Sequence, residues 1–262
     1  MSKLDTGGLA PNKSRRLAVV AARLDEDLRV AAKIARAGGF AALQLDSRLG
    51  DLDVLSLSQS GKRELRAILR SSELDLVGLR LDLGRNGLSG DVDAALDRIE
   101  KLLAAAAGLQ SPLLCLDLGP IPKDQHIDAA LSELARRADR HGVTVAFRSD
   151  LAAFADLDRA LKIAACPWFG LDLDPVAILK DDWNMDEIFS HLGGLIRHVR
   201  ARDAIAGPDR RTKPVTVGTG SVNWPRLLSD LDGAGYHGWI TLDPAELPNH
   251  RAAAAAGAAA LR

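Results

Sequence analysis

The 262-residue chain is 47% hydrophobic and 26% charged, with 34 Lys and Arg against 35 Asp and Glu and a formal net charge of −1. That length supports one large core or two small ones, and the balanced charge with 4% aromatic content speaks against nucleic acid or an anionic membrane as partner. Cys115 and Cys166, with no CxxC and no metal spacing, read as small buried hydrophobes in a reducing compartment, and no apolar run reaches the ~18 residues of a membrane span.

Residues 1–16 are polar and lack the apolar stretch of a signal peptide, so a flexible leader and, by default, a cytoplasmic location are expected. A buried strand over 17–22 follows, ending at Arg23, and helical spacing over 25–37 is stopped by Gly38-Gly39. A second strand, 40–45, ends at Asp46, and a helix is predicted over 60–69. The third strand, 74–81, ends near Arg80 and Asp82, before a Gly-rich loop and a helix capped by Asp91. The fourth, 112–116, ends at Asp117, and a helix spans 124–141. The fifth strand ends at Arg148, with a helix over 152–164, and the sixth at Asp174. One or two short helices lie in 175–192, with Trp183 and Asn184 between them. The seventh strand ends at Arg200, before a polar loop over 202–214 carrying Arg202, Arg210, Arg211 and Lys213. A helix starts near Trp224, and the eighth strand ends at Asp243. The last helix, 245–261, is almost all alanine and is expected to form with little packing, because alanine has the best helix propensity.

Eight continuous apolar strands alternating with helices are the mark of a parallel sheet buried on both faces. In this length they predict a single α/β domain over 17–262, a (β/α)8 TIM barrel with parallel strands. A doubly wound sheet is disfavoured, since Ala22-Arg23-Leu24-Asp25 stands where its glycine fingerprint belongs. Active sites of such barrels lie at the C-terminal strand ends. The residues closing the strands, Arg23, Asp46, Arg80 or Asp82, Asp117, Arg148, Asp174, Arg200 and Asp243, are therefore the candidates.

Several stretches of the second half carry a specific likeness: Gly142-Val143-Thr144-Val145-Ala146-Phe147, Gly170-Leu171-Asp172-Leu173-Asp174-Pro175, Ile196-Arg197-His198-Val199-Arg200-Ala201-Arg202-Asp203, Val217-Gly218-Thr219-Gly220 and Gly235 to Asp243. In order and spacing they resemble strands five to eight of the xylose isomerase-like barrels, the superfamily of sugar isomerases, sugar-phosphate epimerases and endonuclease IV-like proteins. The resemblance implies metal-binding Glu, Asp, His and Glu at positions 148, 174, 200 and 243. Here these are Arg148, Asp174, Arg200 and Asp243, and Ala177 stands where the family often has His.

Arginine has no lone pair to give a metal, and at ~4 Å two unit charges repel by about 4 kcal/mol at an effective dielectric of 20, twice that for a divalent ion. No metal cofactor is therefore expected at the family position, and with Arg148 in place of one of two bracketing carboxylates the family's proton transfer looks lost. One reading is a metal-free site for a small anionic sugar or sugar acid. Arg148, Arg200 and Arg202 would bind the anion, Asp46, Asp117 and Asp174 would orient groups, and Asp243 as base with Arg148 as electrophile would carry any catalysis. The other is a non-catalytic structural or regulatory barrel closed by Arg148–Asp174 and Arg200–Asp243 salt bridges, which fits a homo-oligomer. Nucleic-acid binding, by analogy with the endonucleases, is the weakest. His198 alternates with Arg200 and is expected simply to pack nearby, and Gly218-Thr219-Gly220 is either a phosphate loop or a plain turn.

Overall fold

The computed structural model describes residues 16–262, so the expected leader lies, apart from Arg16, outside the described residues. Parallel strands β1 (Leu17–Val20), β2 (Ala42–Asp46), β3 (Asp75–Asp82), β4 (Leu113–Asp117), β5 (Thr144–Arg148), β6 (Phe169–Leu173), β7 (Ile196–Ala201) and β8 (Ile240–Leu242) close into a barrel in chain order. Strand β1 seals it by pairing with both β2 and β8. Helices α1 (Leu28–Ala37), α2 (Gln59–Ser71), α3 (Val92–Leu109), α4 (Gln125–His141), α5 (Phe154–Ala164), α6 (Met185–Leu192), α7 (Trp224–Gly233) and α8 (His250–Leu261) surround it. The expected (β/α)8 architecture is thus the observed one. No helix among the described residues is long and apolar enough to cross a membrane.

Helix starts follow local chemistry. Orphan N–H groups of a first turn need acceptors, and short polar side chains just before it supply them. Asp27 accepts from Arg29 N and Val30 N, Asp91 from Ala94 N, and Asp124 from His126 N. At α6, Asn184 and Glu187 form a reciprocal capping box.

Side chains alternate across a strand, so one parity faces the helices and the other the lumen. The outward set is the large core, with Leu43, Leu45, Leu79, Leu114, Leu116, Val145, Phe147 and Leu171 packed under the helices. The inward set is separate: Ala18, Ala42, Val77, Leu113, Cys115, Ala146 and Trp239. The guanidinium of Arg16 sits 4.0 Å from the Trp239 ring centroid, at the N-terminal end of the lumen.

Two register shifts decide which side chains reach the lumen's other end. Between β2 and β3, Leu43 faces Leu76 but Gln44 faces Gly78, which brings Arg80 opposite Asp46 and leaves Asp82 exposed beyond it. Between β6 and β7, Leu171 faces Ile196 but Asp172 faces His198. A bulge inserts one residue and reverses the parity after it.

Two predicted segments differ. The polar stretch after β7 holds an antiparallel hairpin, Asp203–Ala206 with Thr212–Val215, because alternation within it is too short and too polar to read as strand. The final helix begins at His250 rather than 245, where Asn249 caps Ala252 N. It is also well packed: Ala254, Gly257, Ala258 and Leu261 are buried against the barrel. A Cβ on Gly257 would stand 2.6 Å from Leu242 Cδ2 and 3.1 Å from Val217 Cβ. Gly257→Val should therefore lower stability by about 1–3 kcal/mol through overpacking, despite valine's better helix propensity. Urea unfolding measures this, and an equal or higher midpoint would mean α8 is not seated on β8.

Candidate functional site

At the C-terminal mouth the inward parity of each strand ends on a charge. Asp243, next after β8, is 4% exposed and meets three guanidiniums: Arg23 Nε donates to Oδ1 at 3.0 Å, and Arg80 Nη1 and Arg200 Nη2 approach Oδ2 at 2.8 and 3.0 Å. Arg80 Nε also reaches Asp46 Oδ1 at 2.9 Å, across the register that sets them opposite. On the far side Arg148 touches Asp117 Oδ2 at 2.7 Å, Asp150 Oδ1 at 2.6 Å and Asp174 Oδ2 at 3.5 Å. Arg202 pairs with Asp174, with Asp150 at 3.3 Å and with Glu246 at 3.4 Å.

The strand-end residues singled out from the sequence, Asp46, Asp117, Arg148, Asp174, Arg200, Arg202 and Asp243, therefore meet at one mouth. Both Arg148–Asp174 and Arg200–Asp243 contacts are present. Arg210 instead pairs with Asp182 on the surface at 2.5 Å. Asp150 and Glu246 are partners the sequence did not reveal, since each lies in a loop past its strand. Arg23 and Arg80 were visible as strand ends, but their convergence on Asp243 needs the closed barrel.

Burial alone would raise the Asp243 carboxyl, but Arg200, Arg80 and Arg23 outweigh it and hold it far below the usual carboxylate range. Burial, with the charge of Arg148 next, presses Arg200 down to about 10. Asp117 is raised by burial despite Arg148. Arg148 is raised, because Asp174, Asp117 and Asp150 more than offset its desolvation.

One layer lower the lumen is polar as well. Asp172 and His198, opposite each other in register, are joined by Nδ1–Oδ1 at 2.6 Å, and His198 Nε2 lies 2.8 Å from Thr241 Oγ1. Gln44 Nε2 donates to Cys115 Sγ at 3.1 Å. Burial disfavours the charged imidazole, but Cys115 and Asp172 beside it win and raise His198. His198 packs in its strand near Arg200, as expected, and is in addition a fully buried member of a second polar tier. The signal was its spacing, two residues before Arg200, as Asp172 precedes Asp174 and Cys115 precedes Asp117.

The Gly-x-Gly loop is occupied by the chain itself. Asp203 accepts from Gly218 N, Gly220 N, Val222 N and Trp224 Nε1 at 2.9–3.2 Å. Gly218 has φ +88, and a Cβ on Gly220 would fall 2.2 Å from Asp203 Oδ1, so both glycines serve this carboxylate.

Space at the mouth is small. A cavity of about 10 Å³ lies between Arg80, Cys115, Arg148, Asp172 and Arg200, room for about one water. Another, of about 20 Å³, lies beside Arg202, Glu246, Pro214 and Val215. Arg202 Nε is buried and has no hydrogen-bond partner among the described residues.

A closed parallel barrel of eight strands with helices between them is a (β/α)8 TIM barrel. The family model for xylose isomerase-like TIM barrels matches residues 31–262, and the chain belongs to that family. No curated protein matches it. Among solved structures it is similar to a xylose isomerase domain protein from Planctomyces limnophilus, at 16% identity and TM-score 0.78, over 92% of this chain and 93% of that one. D-Psicose 3-epimerase with D-tagatose from Clostridium cellulolyticum H10 is similar at 15% identity and TM-score 0.73, over 94% and 96%. A xylose isomerase-like protein from Mycobacterium smegmatis, in complex with magnesium, is similar at 13% and 0.70, over 95% and 98%. At these identities the likeness is one of fold.

Asp243 should dominate the mouth's stability. Asp243→Asn leaves Arg200 and Arg80 buried without their carboxylate, which should cost about 3–5 kcal/mol at pH 7. Because the folded carboxyl lies below its unfolded value of ~3.9, its contribution is complete above that value and is lost as pH falls toward the folded one. The gap between wild type and Asp243→Asn should therefore narrow by roughly 1 kcal/mol at pH 3. Denaturant titrations at both pH values test this, and a gap that widens in acid would refute the assignment.

Proposed function

We propose that the protein is a sugar isomerase- or epimerase-like barrel that binds an anionic sugar or sugar acid at its mouth, without the family's metal-dependent proton transfer. Arg202 carries the reading. Its Nε is a buried donor with no hydrogen-bond partner among the described residues, and a buried unmatched donor costs about 1–3 kcal/mol. Two of its carboxylate neighbours, Asp150 and Glu246, have side chains 42% and 50% exposed. An incoming carboxylate or phosphate can take the place of Glu246, satisfy Nε, and extend across to Arg148. Guanidiniums bind such groups in bidentate fashion.

The donor set supports the loss of metal chemistry. A divalent cation at positions 148, 174, 200 and 243 would need lone pairs. Two of those positions offer guanidiniums, and the carboxylates of Asp174 and Asp243 are already engaged by arginines. The residues do not fit the ion. Asp243 is also a poor base, because a carboxylate held so far below its ordinary range has little affinity for a proton. The site is therefore read as a binding site, with Asp46 and Asp117 fixing Arg80 and Arg148 in place.

The second reading, a non-catalytic structural or regulatory barrel, is favoured by one observation: the mouth cavities, about 10 and 20 Å³, hold no sugar as they stand. The two separate on a calorimetric or thermal-shift series of sugar phosphates and sugar acids. Ligand binding should be lost at least tenfold in Arg202→Ala. It should strengthen severalfold in Glu246→Gln, which removes the internal competitor from Arg202. If neither wild type nor Glu246→Gln binds any member, the structural reading stands.

A further inference from the structure

We propose that the tier below the mouth is a zinc-type metal site built from Cys115, Asp172 and His198. It is distinct from the strand-end positions where the arginines stand. One ligand atom from each of the three residues can be chosen so that all lie within 4.8 Å of one another, and all three residues are buried. They come from β4, β6 and β7, whose backbones are fixed in the barrel ladder. A thiolate, a carboxylate and an imidazole are together the donors of zinc and its close transition-metal relatives, whereas magnesium and calcium take oxygen. Donor atoms of a tetrahedral zinc site stand roughly 3–4 Å apart, given metal–ligand bonds of ~2.0–2.3 Å. Nδ1 of His198 and Oδ1 of Asp172 stand closer than that, at 2.6 Å, and must open to admit the ion.

Two of the three donors, His198 and Cys115, already have the outer partner that such sites use. The imidazole nitrogen Nε2 is tied to Thr241 Oγ1 at 2.8 Å, which turns Nδ1 toward Asp172. Metal-bound histidines are oriented in this way by their second nitrogen. Gln44 donates to the sulfur at 3.1 Å, stabilising negative charge there. Cys115 and Asp172 line the small cavity under Arg80, Arg148 and Arg200. That gap supplies both a path of entry and a fourth coordination position for one water.

Charge decides why an ion tolerates three arginines overhead, of which Arg80 is matched by Asp46 and Asp243. A divalent cation with one thiolate, one carboxylate and a neutral imidazole has no net charge. The guanidiniums of Arg148 and Arg200 are in turn matched by Asp117, Asp150, Asp174 and Asp243. The tier therefore presents no unbalanced cation to the mouth. At positions 148, 174, 200 and 243 the same ion would face two guanidiniums directly.

The test uses the full-length protein stripped of metal, then titrated with cobalt and, separately, zinc. Wild type should bind about one zinc per chain, and cobalt should give a sulfur-to-metal charge-transfer band in the near ultraviolet. Cys115→Ser should abolish the band, while Cys166→Ser keeps it. Thr241→Val, which disturbs only the outer partner, should weaken zinc about 10- to 100-fold in competition with a chromogenic chelator. Circular dichroism identifies any variant that fails to fold, and Thr241→Val with Cys166→Ser then carry the decision. The proposal is overturned if wild type binds no zinc and shows no band. It is equally overturned if the band survives Cys115→Ser.

Discussion

A carboxylate removed from water must be matched, and in this protein Asp243 is matched three times. Burying an ion costs several kcal/mol unless opposite charges and hydrogen bonds replace its hydration. Arg23, Arg80 and Arg200 supply them from the turn after β1, from β3 and from β7. Strand β8 therefore takes its place in the barrel through its end as well as its ladder, and the mouth is held by charges on nearly every strand. Asp174 and Asp243 are carboxylates in name, but their oxygens are already engaged by guanidiniums.

The barrel separates two kinds of cohesion by side-chain parity. The outward face of the barrel is apolar, with leucine the commonest residue, and is buried under helices, where stabilisation follows area removed from water. The inward face carries less apolar bulk and ends in two polar tiers. Polar tiers inside a sleeve of leucine are effective because little water reaches them to weaken the Coulomb interaction. They are also unforgiving, since the loss of one member leaves another uncompensated. The two register shifts, at Gly78 and at Asp172, align these tiers by setting Arg80 against Asp46 and His198 against Asp172.

Much of this was legible before any coordinates. Apolar runs ending on a charge gave the strand count and the mouth residues, because a strand buried on both faces leaves few alternatives for a terminal Asp or Arg. The helix cap at Asp91 was equally local. What could not be read was how partners combine. Asp150 and Glu246 sit in loops whose path depends on the closed barrel, and the choice between Arg80 and Asp82 turned on a bulge that no residue announces. Cys115 looked like an inert small hydrophobe because its companions lie 57 and 83 positions later, at Asp172 and His198. The alanine-rich final helix was misjudged for a related reason. Its small residues do not signal indifference to packing but close approach to β8 and Val217.

The Gly218–Gly220 loop has a meaning beyond its geometry. Backbone amides gathered at a helix start form a ready anion cradle, and here Asp203 fills it from the same chain. A tethered occupant acts at an effective concentration of millimolar or above, so a free metabolite at ordinary cellular levels competes poorly for those amides. Near Arg202 the rival is Glu246, whose side chain is half exposed and more readily displaced. The two carboxylates that meet donors on this face thus differ in how firmly they are held: Asp203 is buried among four donors, and Glu246 is half exposed.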